Sequence, residues 1–225
     1  MSERVVALWR YPVKSMGGEQ VAELAVDARG VVGDRRFAVR TERGKLGSGK
    51  STQRFERVDG LLGFSARFID RDEVEIELPD GRRIRTGDPD VQAILSDAIG
   101  QPIELVEERA DSHLDAAAIH LVTRATLDWV RRTGTQPDER RLRPNLVTDG
   151  IAEASAGTEL RIAETLLRIT VPTERCVMVG LAQPDLPAAP GLLRAIAEER
   201  SGCAGMYAEV VHPGIIGRGA LIEPV

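Results

Sequence analysis

Four short segments of the sequence contain the side chains best suited to chemistry. They are Tyr11-Pro12-Val13-Lys14-Ser15, Gly33-Asp34-Arg35-Arg36-Phe37, Arg143-Pro144-Asn145 and Pro172-Thr173-Glu174-Arg175-Cys176. A cysteine thiolate is a good ligand for a high-valent metal–sulfur centre, and the adjacent Arg175 favours the thiolate. Lysine and arginine side chains bind phosphate, while an asparagine amide both donates and accepts hydrogen bonds. These residue types together indicate a site for a metal and an anionic cofactor.

Several of these residues also have a purely structural interpretation. Cys176 could be a buried residue of a strand that continues through residues 177–179, and Arg143 could be a surface charge. Asp34 is expected to be a turn residue or the ion-pair partner of a neighbouring arginine. Cys203, between a glycine and an alanine, is expected to have a structural role.

Residues 44–51, GKLGSGKS, match the phosphate-loop pattern G-x-x-x-x-G-K-[ST] at every position. A phosphate loop joins a buried parallel strand to the start of a helix. Here the preceding apolar run, residues 37–39, is short, and residues 74–86 predict a β-hairpin downstream. The context therefore favours a polar, Gly-rich loop between two strands over a nucleotide site.

Composition argues against several classes of protein. The 225 residues carry a formal net charge of −5, which does not indicate a nucleic-acid-binding surface. We find no apolar run of membrane-spanning length and no signal-peptide pattern, so we expect a cytoplasmic protein with no membrane partner. Two cysteines are too few for a disulfide framework. The histidines have no spacing typical of a zinc site, although His120 or His212 could supply protons near a pocket.

Short strands dominate the pattern of the whole chain. Only three helices are predicted: one that ends at Gly100, one over residues 124–132, and one between Pro190 and Gly202. No repeating βαβ pattern is present. We therefore predict a mainly β (α+β) fold in which a β-barrel domain over residues 101–225 follows a smaller β-rich domain over residues 1–100, with a few peripheral helices.

In chain order and spacing, the four segments resemble the MOSC family, named for the C-terminal domain of molybdenum-cofactor sulfurase. The resemblance is closest to the amidoxime-reducing-component type, in which a β-rich N-terminal domain precedes the MOSC domain. It covers essentially the whole chain and includes Ser51-Thr52-Gln53-Arg54 and the C-terminal segment HPGIIGRGALI. The sequence departs from the family pattern at Met16, which follows the YPVKS segment where cysteine or another small residue is common.

The resemblance implies a set of site residues. Molybdopterin would be held by Lys14, Ser15, Arg35, Thr123, Arg143 and Asn145, and Cys176 would coordinate molybdenum. It also implies a reaction, the two-electron reduction of small N-oxygenated substrates such as hydroxylamines and amidoximes. Because the sequence has no flavin, haem or iron–sulfur motif, a separate electron-donor protein is implied, either a reductase or a small electron carrier.

Two other functions fit the same residues. Cys176 could carry a persulfide and deliver its sulfur during the assembly of metal–sulfur cofactors. Alternatively, the chain could be a non-catalytic module that binds the cofactor without turnover. The group attached to Cys176 distinguishes the persulfide carrier from the reductase. Activity with an electron donor distinguishes the reductase from the non-catalytic module.

Overall fold

The computed structural model describes residues 3–150 and 152–225. Within these ranges the chain forms 18 β-strands and three α-helices. The strands are β1 (Glu3–Arg10), β2 (Glu19–Val21), β3 (Glu23–Asp27), β4 (Gly30–Val31), β5 (Phe37–Thr41), β6 (Leu46–Ser48), β7 (Phe55–Arg57), β8 (Ser65–Phe68), β9 (Val74–Glu77), β10 (Arg83–Arg85), β11 (Ile103–Glu107), β12 (Ile119–Thr123), β13 (Leu146–Thr148), β14 (Glu159–Ile162), β15 (Thr165–Glu174), β16 (Cys203–His212), β17 (Gly214–Gly217) and β18 (Leu221–Pro224). The helices are α1 (Val91–Ile99), α2 (Arg124–Arg132) and α3 (Pro190–Glu199).

Seven strands close into a barrel. Their order is β13-β12-β16-β15-β14-β18-β1, and β1 pairs back onto β13. All neighbours are antiparallel except β12 and β13, which run parallel. Alternation places every second side chain inside, as a strand requires: Leu160 and Ile162 of β14 are buried, whereas Arg161 is exposed. The inward residues form one continuous apolar core.

Three smaller sheets accompany the barrel. The sheet β17-β3-β4 covers it, because Leu24, Val26 and Ile216 join the barrel core. The sheets β11-β5-β6-β7 and β10-β9-β8 share a second core with α1, which contributes Val91 and Leu95. The strand β11 therefore belongs to the core of the N-terminal half.

The predicted fold class is confirmed: the chain is mainly β, with a barrel and few helices. The predicted hairpin corresponds to β9 and β10, in which Ile76 faces Ile84. Helix α2 has the predicted bounds. Within the described residues, none of the helices has the length and apolarity needed to cross a membrane.

Three local predictions need correction. The segment Asp88-Pro89-Asp90 predicts the start of a helix with proline in its first turn, but α1 begins after Asp90, because the Asp88 carboxylate accepts from the Arg85 N–H and closes a turn. The strand before Cys176 ends at Glu174. Near the C-terminus, β16 is a ten-residue strand rather than a short one, since it pairs with β15 along its length.

Candidate functional site

One cleft gathers side chains from both halves of the chain. The N-terminal half contributes Arg35 and Lys50, and the segment between the halves contributes residues 114–117. The barrel half contributes His120, Arg141, Leu142, Arg143, Asn145, Glu174, Arg175, Cys176, Met178, Val179 and Tyr207. Cations outnumber acids on these walls, although the whole chain is acidic. The cleft is therefore a place for an anionic ligand.

Cys176 lines this cleft from the start of a short turn. The residue precedes a 3-10 turn over Val177–Gly180, and its carbonyl accepts from the Val179 N–H at 3.2 Å. Its thiol is free and its side chain is partly exposed. The interpretation of Cys176 as a buried strand residue is therefore wrong. Cys203, also a free cysteine, lies at the start of β16 and is not among the residues that line the cleft.

Three of the predicted site residues have a left-handed backbone. The φ angles are 65° at Ser15, 51° at Arg35 and 54° at Arg143. For residues other than glycine this conformation costs on the order of 1–3 kcal/mol, and it persists where the surrounding structure enforces it. Such outliers cluster at ligand sites. All three residues lie at the junction of the two halves, where Arg143 Nη1 donates to the Met16 carbonyl at 2.7 Å.

Tyr11 packs against the guanidinium groups of two of the arginines. The guanidinium of Arg35 lies 4.6 Å and that of Arg143 4.3 Å from the centroid of its ring, within cation–π range. Asp34 is fully buried, forms an ion pair with Arg35 and accepts from the Tyr11 N–H at 2.8 Å. The structural role predicted for Asp34 is thus confirmed. Burial raises the pKa of Tyr11, so its hydroxyl stays protonated.

Lys14 is a buried cation beside the cleft. Its side chain is 2% exposed, and its ammonium donates to the His113 carbonyl at 2.9 Å and to Asp115 Oδ1 at 2.6 Å. Burial lowers the pKa of Lys14 to about 8, and the Asp115 charge opposes this shift. Burial raises the pKa of Asp115, but the charge of the Lys14 ammonium outweighs burial and lowers the pKa of Asp115 to about 2. The neighbouring Ser15 is buried, and its hydroxyl faces the Gly47 carbonyl at 3.4 Å.

Three arginines of the cleft lack an acidic partner among the described residues: Arg141, Arg143 and Arg175. Each has one buried N–H group without an acceptor in the described part of the chain: Nη1 of Arg141, Nη2 of Arg143 and Nε of Arg175. Burial lowers the pKa of all three, to about 10 for Arg143. Arginine nevertheless stays protonated in proteins because its intrinsic pKa is very high. Unsatisfied buried donors are rare in proteins, so these three groups are candidates to receive a bound anion or water.

Asn145 and Thr123 differ in how they relate to the cleft. Asn145 lines it, while its amide accepts from the His120 N–H at 3.1 Å and donates to the Trp9 carbonyl at 3.4 Å. Thr123 lines a different cavity at the end of β12, and its hydroxyl accepts from the Thr126 N–H at the N-terminus of α2. The structure thus assigns Thr123 a helix-capping role, and we leave it out of the proposed cofactor site.

Of the two histidines considered as proton donors, only His120 lies in the cleft. His120 is buried, with Nδ1 3.3 Å from the Arg143 carbonyl and Nε2 3.5 Å from Arg175 Nη1. Burial and the nearby Arg175 charge hold its pKa well below the ordinary value, so the ring is neutral at pH 7. His212 is exposed at the end of β16.

Sequence reasoning missed Lys50, which belongs to the GKLGSGKS segment. Ser51 is followed by strand β7 rather than by a helix, so the segment lacks the geometry of a phosphate loop. A side chain at Gly49 would meet Met178 and Leu181 at 3.1 and 3.0 Å. The glycine therefore permits close packing against the turn after Cys176, and Lys50 reaches the cleft. The Gly49-Lys50 pair was the sequence feature that could have pointed to this cleft residue. It was interpreted only as part of a phosphate-loop pattern for a nucleotide.

The fold and the cleft define a two-part, mainly β protein with a single cysteine in a cationic site. Two family models match the chain: the MOSC N-terminal beta barrel domain over residues 2–114 and the MOSC domain over residues 108–223. The chain belongs to the MOSC family, which is associated with binding of the molybdenum cofactor. The search of curated protein sequences gave no significant match.

Solved structures resemble the chain at low sequence identity. The YUAD protein from Bacillus subtilis is 15% identical, with a TM-score of 0.53 over 99% of this chain and 94% of that one, and it supports the fold alone. YiiM from Escherichia coli is 17% identical, with a TM-score of 0.46 over 96% of this chain and 69% of that one. YiiM from Geobacillus stearothermophilus is 24% identical, with a TM-score of 0.39 over 48% of this chain and 54% of that one.

Proposed function

We propose that the chain binds the molybdenum cofactor through Cys176 and reduces small N-oxygenated compounds with electrons from a separate protein. The observation that carries the proposal is the position of Cys176, a partly exposed thiol in a cleft whose walls are rich in cations. No three His, Cys, Asp or Glu side chains of the described residues converge as a metal site. Metal binding would thus rest on one protein thiolate, with the other ligands supplied by the cofactor.

The residues present fit such a cofactor. Its phosphate and dithiolene groups are anionic, and the cleft offers Arg143 Nη2, a buried donor without an acceptor among the described residues. Lys14, Ser15, Arg35 and Asn145 lie at the same junction and would bind the phosphate and the pterin edge. Asp34 neutralises the charge of Arg35. Arg143 has no such counter-ion among the described residues, so its full charge would be available to the anion.

The chemistry would divide between cofactor and protein. The cofactor, when bound, would supply two-electron chemistry: two electrons from the donor protein and two protons would convert an N–OH group of the substrate to N–H and release its oxygen as water. Cys176 would hold the metal through its partly exposed sulfur, which lies in the cleft beside Arg175. The neutral His120 orients the Arg143 carbonyl and the Arg175 guanidinium. Tyr207 is another wall residue, and burial raises the pKa of its hydroxyl, so this group stays protonated at neutral pH.

The test is a reductase assay on protein produced in a cofactor-competent host. Benzamidoxime serves as substrate and dithionite-reduced methyl viologen as the electron source, which removes the need for the natural donor. We expect amidine formation by the wild type and by Cys203→Ala, and none by Cys176→Ala. A loaded but inactive wild type would indicate a binding module. A reductant-sensitive mass increase of one sulfur on Cys176 would indicate a persulfide carrier.

A further inference from the structure

The cations of the cleft fall into two groups. Lys14 and Arg35 each form an ion pair with an aspartate of the chain. Arg141, Arg143 and Arg175 instead donate to backbone carbonyls and have no carboxylate of the described residues within ion-pairing distance. Burying a charge without a counter-ion is costly. The second group therefore indicates an anion that the chain itself does not supply.

Arg141 has the least exposed side chain of this group. Its side chain is 1% exposed. Two hydrogen bonds fix its guanidinium plane: Nε donates to the Gln136 carbonyl at 3.3 Å and Nη2 to the Pro187 carbonyl at 2.8 Å. Nη1 is buried and finds no acceptor among the described residues, although Arg141 is part of the cleft wall.

Arg175 is attached to the same loop. Its Nη2 donates to the carbonyl of Leu142, the residue after Arg141, at 2.7 Å, and its Nε has no acceptor in the described ranges. Arg141 and Arg175 line the cleft together with Cys176. Both guanidinium groups are held in place before any ligand arrives, which lowers the entropic cost of binding.

We propose that Arg141 and Arg175 form an anion subsite beside Cys176 that binds the carboxylate or oxyanion group of a small-molecule substrate. The proposal rests on the proposed reductase function. It adds that the preferred substrates are anionic. Arg175 directly precedes Cys176, the proposed metal ligand, and Arg141 lines the same cleft, so both belong to the wall where a substrate would react. Each arginine would contribute its one unsatisfied group, Nη1 of Arg141 and Nε of Arg175, as a charge-assisted hydrogen bond to the anion.

Substrate preference tests the subsite. The ratio of kcat/KM for 4-carboxybenzamidoxime to that for benzamidoxime is measured in the wild type, Arg141→Met and the control Arg140→Met. Arg140 forms its ion pair with Asp138 and does not line the cleft. We expect the wild type to prefer the carboxylate, and Arg141→Met to lower the ratio at least tenfold. Arg175→Met serves as a second variant if Arg141→Met does not fold. An equal ratio in all variants would overturn the proposal.

Binding of inorganic sulfate tests the subsite without turnover. Calorimetric titration at constant ionic strength compares molybdenum-loaded protein with cofactor-free protein. We expect sulfate to bind loaded wild type, with a Kd at least tenfold higher in Arg141→Met. Binding only to the cofactor-free protein would assign the anion to the cofactor phosphate and overturn the proposal. If the wild type binds sulfate through Arg141 but reduces no amidoxime, the reductase function fails while the anion subsite stands.

Discussion

At the scale of single residues, the site combines buried charges that have partners with buried charges that lack them. Asp34 shows the first kind, since it neutralises Arg35 and also fixes the Tyr11 backbone. Arg141 shows the second kind. This difference separates residues that hold the site together from residues that await a ligand.

Removing the Asp34 carboxylate should destabilise the protein strongly. Asp34→Ala leaves Arg35 buried without a counter-ion and the Tyr11 N–H without an acceptor, so we expect a loss of about 3–5 kcal/mol in the free energy of unfolding. Urea unfolding measures this loss. The control is Asp72→Ala, which removes an exposed ion pair with Arg36 and should cost less than about 1 kcal/mol. Equal losses for the two variants would contradict the structural role of Asp34.

Lys14 should give the stability a specific pH dependence. Its pKa falls from 10.5 to about 8 on folding. Between these values the unfolded chain binds a proton that the folded chain does not, so the contribution of Lys14 to stability rises with pH. We expect the wild type to gain stability relative to Lys14→Met between about pH 8 and about pH 10. Urea unfolding across this pH range measures the gain, with Lys45→Met as the control. A difference in free energy of unfolding between the wild type and Lys14→Met that stays constant with pH would contradict the burial of a charged Lys14.

The short motifs of the sequence predicted which side chains meet, while the roles of these side chains in cofactor binding stay predictions. The motifs around Lys14, Arg35, Arg143 and Cys176 predicted side chains that the fold does bring to one junction. The sequence could not show that Arg141 has no carboxylate partner within residues 3–150 and 152–225, because this depends on residues brought close only by folding. Nor could it show that Thr123 faces away from the cleft, since that depends on the strand register of β12.

At the scale of secondary-structure elements, α2 explains the role of Thr123. The hydroxyl of Thr123 accepts from the Thr126 N–H, which satisfies one of the free donors at the start of the helix. The bounds of α2 were predictable from its apolar spacing and its Gly134 stop. The capping role was not, because the family resemblance suggested a phosphate contact for the same hydroxyl.

Thr123→Ala should therefore affect stability and leave the cofactor in place. Loss of the cap is expected to cost about 1 kcal/mol in the free energy of unfolding. Thr123→Ser, which keeps the hydroxyl, should restore most of it. Urea unfolding and molybdenum analysis of the same preparations measure the two effects. A fall in molybdenum content at unchanged stability would contradict the capping role and support a cofactor contact.

At the scale of the whole molecule, the N-terminal strand closes the barrel of the C-terminal half. Strand β1 lies between β13 and β18, and β3 pairs with β17. The two halves of the sequence therefore interlock, and a cut near residue 100 separates β1 from the barrel that it completes. Pairs such as Val5 with Thr148 and Glu3 with Ile222 are far apart in the sequence and have no local signal. The apolar residues at positions 4–9 therefore predict a strand but leave its partners open.

A fragment of residues 108–225 should not fold on its own. Without β1, strands β13 and β18 keep unpaired edges and the barrel core is open to water. We expect no cooperative thermal transition by circular dichroism. The full chain cleaved in place after the exposed Arg109 keeps every strand and should retain its transition. A fragment that unfolds cooperatively near the temperature of the full chain would contradict the role of β1 in closing the barrel.

The central claim is that Cys176 holds molybdenum, and metal analysis tests it most directly. Molybdenum and pterin are measured in the wild type, in Cys176→Ala and in the control Cys203→Ala, all produced in a cofactor-competent host. We predict near-stoichiometric molybdenum in the wild type and in Cys203→Ala, and little in Cys176→Ala. Equal molybdenum in all three, or none in any while a known molybdenum protein from the same host is loaded, would contradict the account.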